Sequence, residues 1–424
     1  MRRTLILTLN LILFAFGLSA QEYGQASFGS SYSEQAFFRF SDLSAENIAN
    51  ESWDLAFSVE GAFSVGVHLN EAVPAVFSGV APYLELYLAP VNSWEDPIDL
   101  SEVTDTLYNP ESSWDEGALN TTSNPDDPFD FGWGLYNSDN HSVVGNRIYV
   151  IKLRDDSYRK FEVSSLIGGV YTFKYADLNG SNEAEMIIDG ADFDSPLALF
   201  SFDSGAAVES PQNWDLLFSR YITLLDAGGD EFVNYTVAGV LTGPGVEVAV
   251  AQDILPGEAN PEDYTDAYDP QLDKIGHTWK YFNLGEFSWV MEDSLSYFVK
   301  TADEHLWQVI FIDFEGSSTG TTTFEVVDLG TVDVVAPEGN VATLGIFPNP
   351  VKDYFNLSIE LIEQTSQLDI YLTDVNGRIV WSTQQSGNAG LNIFEFNGFN
   401  LPTGMYTLFV RQGGQLSSAS VIKK

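Results

Sequence analysis

Two stretches of the sequence share one motif, Ser52-Trp-Asp-Leu-Ala-Phe-Ser58 and Asn213-Trp-Asp-Leu-Leu-Phe-Ser219. Alternate side chains of an extended strand point to the same face, so the Trp, Leu and Phe of each motif are predicted to share one face. The Asp is then expected to lie on the other face and to cap a neighbouring turn. The motif therefore predicts the same core strand twice in one chain.

Further landmarks recur in the same order around this motif, which is the mark of an internal duplication. The first copy spans residues 21–190 and the second residues 191–329, and both are predicted to be rich in strands. An insertion is predicted in the first copy, between Gly79 and Trp133, because the number of residues that separates equivalent landmarks decreases in that region. The recurring landmarks are Phe37–Ser41 with Leu199–Asp203, Ser78–Val80 with Ala238–Val240, Trp133–Asn137 with Trp279–Asn283, Ile148–Lys152 with Ser296–Lys300, and Gly169–Lys174 with Gly320–Glu325.

The first twenty residues have the composition of a secretory signal. Arg2 and Arg3 form a positive beginning, and an apolar stretch from Leu5 to Leu18 follows. Ser19 and Ala20 supply the small residues expected before a cleavage site. Residues 1–20 are therefore predicted to be a signal peptide.

The last part of the chain differs in charge from the rest. Residues 344–424 contain five basic and six acidic residues, whereas the whole chain has a net charge of −43. Residues 330–343 have the composition of a linker. The tail alternates apolar and polar residues from Phe355 to Ile359 and contains the hairpin signal Asn376-Gly377. About seven short strands are expected there, which favours an Ig-like β-sandwich and an all-β chain.

The tail resembles the type IX secretion C-terminal sorting domain, type A. The matching segments are Ile346-Phe-Pro-Asn-Pro-Val351, Asp374-Val-Asn-Gly-Arg378 and Leu401-Pro-Thr-Gly-Met-Tyr406. This resemblance implies that the type IX secretion machinery is a partner. It also implies export across the outer membrane, to the cell surface or the extracellular space.

The duplicated part resembles the HmuY-like haem-binding family. The resemblance is carried by Trp53–Phe57, Trp214–Phe218, Tyr149–Lys152 and Thr172-Phe-Lys-Tyr-Ala176. It implies a secreted or surface protein with an all-β body that captures haem or a similar ligand for nutrient acquisition. Haem, a haemoprotein and an outer-membrane receptor are the partners that such a function implies.

Haem iron takes axial ligands from His, Met, Cys or Tyr side chains. The chain has four histidines, and none recurs in both copies. His141 and His277 each lie near the repeated Trp-x-x-aromatic-Asn segment, so they are the first pair to consider as ligands of one haem. The alternative is a non-catalytic adhesion or interaction protein that binds no haem.

Calcium is a second cofactor to consider, because hard oxygen ligands at short spacing suit this ion. Asp177, Asn179 and Glu183 cluster such oxygens around one turn. The same residues would also suit an acidic turn that faces water.

Charge and composition exclude several classes of function. A net charge of −43 repels phosphate backbones, so nucleic acid is not expected as a partner. The chain has no cysteine, which excludes thiol nucleophiles, thiolate metal sites and iron–sulfur clusters. The sequence contains none of the P-loop, Gly-x-Ser-x-Gly or His-Glu-x-x-His motifs, and we therefore expect no enzyme activity.

Overall fold

The computed structural model describes residues 21–61, 64–72, 83–138, 140–229, 231–331, 341–347, 351–352, 354–362, 364–373, 378–397, 401–402, 404–412 and 415–423. The chain forms two compact units, one ending at Thr331 and one beginning at Val332. The predicted signal peptide, the Ser78–Val80 landmark and most of the predicted linker lie outside the described residues. Over the part that is described, no helix is long and apolar enough to cross a membrane.

The prediction of an all-β chain is confirmed, because every helix in the described ranges is a 3-10 turn of three or four residues. These turns are Ser30–Tyr32, Asn50–Ser52, Leu100–Glu102, Asn120–Thr122, Gly190–Asp192, Pro256–Glu258, Pro261–Tyr264 and Gly316–Ser318. The strands of the first unit are β1 Gln21–Ser27, β2 Glu34–Arg39, β3 Ser44–Ala49, β4 Leu55–Ser58, β5 Val67–Leu69, β6 Glu85–Leu88, β7 Thr106–Leu107, β8 Gly134–Asn137, β9 Ser142–Gly145, β10 Tyr149–Lys152, β11 Tyr158–Ile167, β12 Val170–Ala176, β13 Ala184–Asp189, β14 Leu197–Ser201, β15 Ala206–Glu209, β16 Leu216–Gly228, β17 Glu231–Thr242, β18 Glu247–Gln252, β19 Lys280–Asn283, β20 Ser288–Met291, β21 Leu295–Lys300, β22 His305–Phe314 and β23 Thr321–Thr331.

The first unit contains two lobes, each with its own hydrophobic core. The first lobe packs a four-stranded sheet of order β15-β14-β4-β5 against a larger sheet with the path β13-β12-β11-β10-β6-β7, to which β9 and β8 are joined. The second lobe packs the sheet β17-β16-β2-β3 against the five-stranded sheet β1-β23-β22-β21-β18. Phe57 and Phe173 are buried in the first core, and Phe218 and Phe324 are buried in the second.

The two lobes do not coincide with the predicted copies 21–190 and 191–329. Strands β1 to β3, at the start of the first copy, complete the second lobe. Strands β14 and β15, which belong to the second copy, complete the first lobe. The first lobe is thus one continuous segment inserted between the two segments that build the second lobe.

Equivalent residues of the two lobes pair in the same register. Ala198 faces Phe57 in the first lobe, and Ala36 faces Phe218 in the second. An ion pair recurs at the far side of each lobe, where Lys152 lies 3.0 Å from Glu85 and Lys300 lies 2.5 Å from Glu247. The repeated landmarks therefore occupy equivalent positions in the two lobes. The strands β2 and β14 are exchanged, because each lies in the lobe that is formed mainly by the other copy.

The Asp of each Trp-Asp motif fixes the exchanged strand in place. The N–H of Phe202 donates to Oδ2 of Asp54 at 2.7 Å, and the N–H of Phe40 donates to Oδ2 of Asp215 at 2.8 Å. Arg154 also pairs with Asp54, whereas burial raises the pKa of Asp215 to about 6. Each carboxylate therefore connects a central strand, β4 or β16, to the residues that directly follow its paired strand, β14 or β2.

The Trp of each motif lies in a different core from the one predicted. Leu55 and Phe57 are buried in the first lobe's core, but Trp53 packs in a third cluster, with Trp214, Phe37 and other residues of the two four-stranded sheets. Trp53 lies just before β4. The two four-stranded sheets pack against each other through the faces that point away from their own lobe's core. The prediction that Trp, Leu and Phe share one face is corrected by this arrangement.

Over the residues that are described, the second unit is a β-sandwich of seven strands. Its two sheets have the orders β24-β25-β28 and β27-β26-β29-β30. The predicted alternation is confirmed, because Phe355, Leu357 and Ile359 are all buried in the core between the sheets. The turn at Asn376-Gly377 lies outside the described residues. The strands are β24 Val341–Phe347, β25 Tyr354–Leu361, β26 Thr365–Thr373, β27 Ile379–Gly387, β28 Gly390–Asn397, β29 Gly404–Gln412 and β30 Gln415–Lys423.

The insertion of one lobe into the other predicts which fragments fold. A fragment of residues 50–210 keeps every strand of the first lobe, so we expect cooperative thermal unfolding and a native near-ultraviolet circular dichroism spectrum. A fragment of residues 21–190 lacks β14 and β15 and exposes Phe57 and its neighbours. Loss of burial at about 1.5–3 kcal/mol for each large apolar side chain should leave that fragment without cooperative unfolding.

Residues 211–331 provide the control for this prediction. They should fold only when a peptide of residues 21–49 supplies β1 to β3. Cooperative unfolding of the isolated 21–190 fragment, matching that of 50–210, would contradict the arrangement of the lobes.

Candidate functional site

A small cavity lies between the two lobes, at the edge of the layer that joins their four-stranded sheets. Its volume is about 50 Å³. Trp53 and Trp114 form part of its apolar wall. Its polar end is formed by Glu71, Glu111 and Tyr221, which come from both lobes.

Glu71 connects the two lobes through its buried carboxylate. The N–H of Asn109 donates to Oε1 at 2.7 Å, and the N–H of Ile222 in β16 donates to Oε2 at 3.1 Å. Burial raises the pKa of Glu71 to about 7, although both hydrogen bonds oppose that rise. Folding therefore favours the protonated form of this side chain.

Two polar atoms at the cavity lack a hydrogen-bond partner among the described residues. These are Oε1 of Glu111 and the hydroxyl of Tyr221, and both atoms are buried. The Tyr221 side chain is only 4% exposed, and its burial raises the pKa of the phenol. A buried polar atom without a hydrogen-bond partner costs about 1–3 kcal/mol, so these two atoms are the polar groups of the cavity that could still accept a hydrogen bond.

His68 lines the same cavity but is not placed to bind a metal. Its Nε2 lies 2.9 Å from the carbonyl oxygen of Trp114, so this nitrogen donates to the carbonyl. Burial lowers the pKa of His68 to about 4, and the ring is therefore neutral at physiological pH.

The structure places the two predicted haem ligands in different lobes. His141 is exposed in the turn between β8 and β9, where its Nδ1 lies 2.7 Å from the hydroxyl of Tyr136. His277 is half-buried in the loop before β19 of the second lobe, and burial lowers its pKa. Among the described residues, no hydrogen bond or ring contact connects His141 with His277. Haem ligation by this pair stays a prediction.

The oxygens predicted to bind calcium accept hydrogen bonds from the protein itself. Asp177 accepts from the side chains of Ser181 and Asn182, and its second oxygen lies 3.0 Å from Arg159. Asn179 Oδ1 accepts from Ser181, whereas Glu183 accepts from the indole of Trp94. Within the described residues no group of three His, Asp or Glu side chains could hold a metal ion. Calcium binding stays a prediction.

A larger cleft of about 510 Å³ lies in the second lobe. Asp253, Asp273, Glu292 and Lys274 line it, so its surface is polar and acidic. Tyrosine is one of the side chains that can bind haem iron, and Tyr297 lines this cleft. Its hydroxyl, however, donates to the carbonyl of Ile275 at 3.4 Å.

Each lobe also projects a short hairpin with an unusual tip. His141 and Phe287 occupy equivalent tip positions, and both have positive φ, at 53° and 52°. Phe287 is 80% exposed and Leu284 is 76% exposed. At the base of the second hairpin, the buried Lys280 donates to the carbonyl of Ala238 at 2.6 Å and lies over the ring of Trp279. The second hairpin is thus firmly rooted while its apolar tip faces water.

Sequence reasoning missed the residues that form these two features. Glu71 and Tyr221 are far apart in the chain, and no spacing pattern connects them. Leu284 and Phe287 did carry a signal, because two large apolar residues flank Gly285-Glu286, and glycine is common in turns.

Comparisons with known proteins identify the end of the chain. A family model described as the secretion system C-terminal sorting domain matches residues 345–424. The tail is therefore a type IX secretion sorting domain, and the protein is exported to the cell surface or the extracellular space. No curated protein matches the chain.

Two solved structures were also found in these comparisons. Dimeric latent PorU from Porphyromonas gingivalis is 11% identical, with a TM-score of 0.18, over 66% of this chain and 26% of that chain. The BSP domain of a biofilm-associated protein is 9% identical, with a TM-score of 0.17, over 100% of this chain and 84% of that chain. This chain thus spans about a quarter of the PorU chain.

The buried carboxylate of Glu71 predicts a pH dependence of stability. Its pKa rises from 4.5 in the unfolded chain to about 7 in the folded chain, so unfolding releases a proton between these values. The free energy of unfolding should therefore fall as pH rises through this window, by about 3 kcal/mol from this group alone. Urea unfolding of the whole chain from pH 4.5 to 8 measures the effect.

Glu71→Gln is the matched variant, because glutamine stays neutral and keeps one acceptor oxygen. The fall in stability across this window should be smaller in the variant by most of that amount. Equal slopes for the two proteins would show that Glu71 is not the group responsible.

Proposed function

We propose that this exported protein is a non-catalytic surface interaction protein. It would hold its partner through apolar side chains at the tips of β-hairpins in the second lobe. The single observation that carries the proposal is the exposed tip formed by Leu284 and Phe287.

The conformation of Phe287 supports a role in contact with a partner. Bulky residues rarely adopt positive φ, and this conformation costs of the order of 1 kcal/mol or more. Phe287 is 80% exposed, so packing within the lobe does not compensate for that cost. A partner that covers the ring would do so.

The ribbon formed by β16 and β17 supports the same role. β2 is paired with β16 from Leu216 to Phe218, and the two strands of the ribbon continue past that point. Leu224, Phe232 and Tyr235 are all exposed by more than half on this ribbon. The equivalent strands of the first lobe, β4 and β5, are only four and three residues long. The ribbon is therefore an elaboration of the second lobe.

The test is a binding screen of the whole chain against an array of polysaccharides and extracellular proteins. We expect Leu284→Ser combined with Phe287→Ser to weaken the detected interaction by tenfold or more. Loss of two exposed apolar anchors is worth about 1–3 kcal/mol, and thermal stability should stay unchanged because neither side chain is buried.

Tyr23→Ser combined with Ile187→Ser is the matched control, since both residues are similarly exposed on strands away from the tip. This control should bind as the unmodified protein does. Equal binding by the tip variant and the control would contradict the proposed role of the tip.

Haem capture is the second candidate, and the surroundings of His141 favour it. The Tyr136 hydroxyl engages Nδ1 of this histidine, which leaves Nε2 as the nitrogen that could bind iron. Neither cavity described above is suited to haem, so the porphyrin would have to lie on the surface.

Titration of haemin into the whole chain tests this candidate. Haem ligation predicts a shifted Soret band that His141→Ala abolishes. A spectrum that stays that of free haemin would remove haem from consideration.

A further inference from the structure

We propose that the cavity between the lobes binds a primary ammonium group. The group would be carried either by a small free amine or by the lysine side chain of a peptide. This site is separate from the hairpin tip and does not depend on the function proposed for that tip.

The acidic side chains of the cavity favour a cation, because a nearby positive charge stabilises the ionised form of a buried carboxyl group. Glu71 and Glu111 both line it, and among the described residues Arg220 is the one basic residue of its lining. Side chains alternate along β16, so Tyr221 faces the cavity while the Arg220 guanidinium lies over the ring of Tyr32, 5.6 Å from its centroid. His68 is neutral, since burial lowers its pKa to about 4. Among the described side chains that face the cavity, the carboxyl groups therefore have no basic counterpart.

The two unpartnered atoms favour a ligand that donates hydrogen bonds. Oε1 of Glu111 can only accept when ionised, and the Tyr221 hydroxyl can accept through its oxygen. An ammonium group has three donors and no acceptor, so its hydrogen-bonding character suits each of these atoms. A carboxylate or phosphate ligand would leave the Glu111 oxygen unsatisfied and add like charge.

The aromatic walls of the cavity are suited to the same group. Trp53, Trp114 and Tyr221 line the space beside the acids. A cation is attracted to an aromatic face, and the attraction is stronger where water is excluded. Within this chain an amino group already packs on an indole face, since Nζ of Lys280 lies 3.7 Å from the Trp279 ring centroid.

The size of the cavity limits the ligand. A volume of about 50 Å³ accommodates only a few water-sized groups, at roughly 10–15 Å³ for each. The ammonium group of either source, with the one or two carbon atoms next to it, is of the size that this space accommodates, whereas a quaternary ammonium is larger. In the part of the chain described, no group of three acidic or histidine side chains could hold a metal ion, which favours the organic cation.

The experiment is a titration of the whole chain with methylammonium chloride, followed by calorimetry and by thermal unfolding. Sodium chloride and tetramethylammonium chloride at equal ionic strength are the controls for salt and for size. We expect a saturable rise in melting temperature with methylammonium and none beyond the salt effect with the two controls. A Gly-Lys-Gly peptide, compared with Gly-Gly-Gly, distinguishes a lysine side chain from a free amine as the source of the group.

Two tyrosine variants locate the binding. Tyr221→Phe removes the hydroxyl in the cavity and should weaken methylammonium binding by tenfold or more, without loss of stability in the absence of ligand. Tyr268→Phe is the matched control, because the Tyr268 hydroxyl is also buried and without a partner but lies away from this cavity. It should leave binding unchanged.

Absence of any response to methylammonium beyond that to sodium would overturn the proposal, with water alone filling the cavity. Equal binding by Tyr221→Phe and the unmodified chain would overturn it as well. Either result leaves the proposed hairpin interaction unaffected, since that interaction is measured with different variants.

Discussion

The pairing of β2 with β16 and of β14 with β4 is the constraint on which the first unit depends. The two strands of each pair lie far apart in the chain, because most of the first lobe lies between them in the sequence. Asp54 and Asp215 accept a backbone N–H from the segment just beyond the exchanged strand. Because these pairs form the centre of the four-stranded sheets, they determine both cores and the layer between the lobes.

The sequence was sufficient to predict the elements but not their partners. The Trp-Asp-Leu-x-Phe motif identifies β4 and the start of β16, and the alternation at Phe355, Leu357 and Ile359 identifies a strand of the tail. Strand partners could not be predicted in the same way, because Phe38 and Phe200 occupy equivalent positions in repeated segments. Either segment satisfies the same local pattern, so only the three-dimensional arrangement distinguishes them.

The tryptophan of the Trp-Asp-Leu-x-Phe motif does not share a face with the leucine and phenylalanine, because the four-stranded sheets are buried on both faces. Period-two alternation indicates which residues share a face, but it does not indicate what covers the opposite face. The four-stranded sheets bury one face in their own lobe and the other against the second lobe. Trp53 and Trp214 lie in this second layer, and the interlobe cavity exists because the layer is incomplete at its polar edge. Glu71 and Tyr221 meet there only after both lobes have formed, so no spacing in the sequence could indicate the site.

The exchange of strands between the lobes pairs β1 with β23 rather than with β12, and cysteine cross-linking measures this pairing directly because the chain has no cysteine of its own. Gln25 and Thr323 are Cα partners. Thr172 corresponds to Thr323 in the repeated landmark Gly169–Lys174 with Gly320–Glu325. Gln25→Cys with Thr323→Cys should form an intramolecular disulfide on mild oxidation, and Gln25→Cys with Thr172→Cys should not. A disulfide that forms with position 172 and not with position 323 would contradict the arrangement of the two lobes.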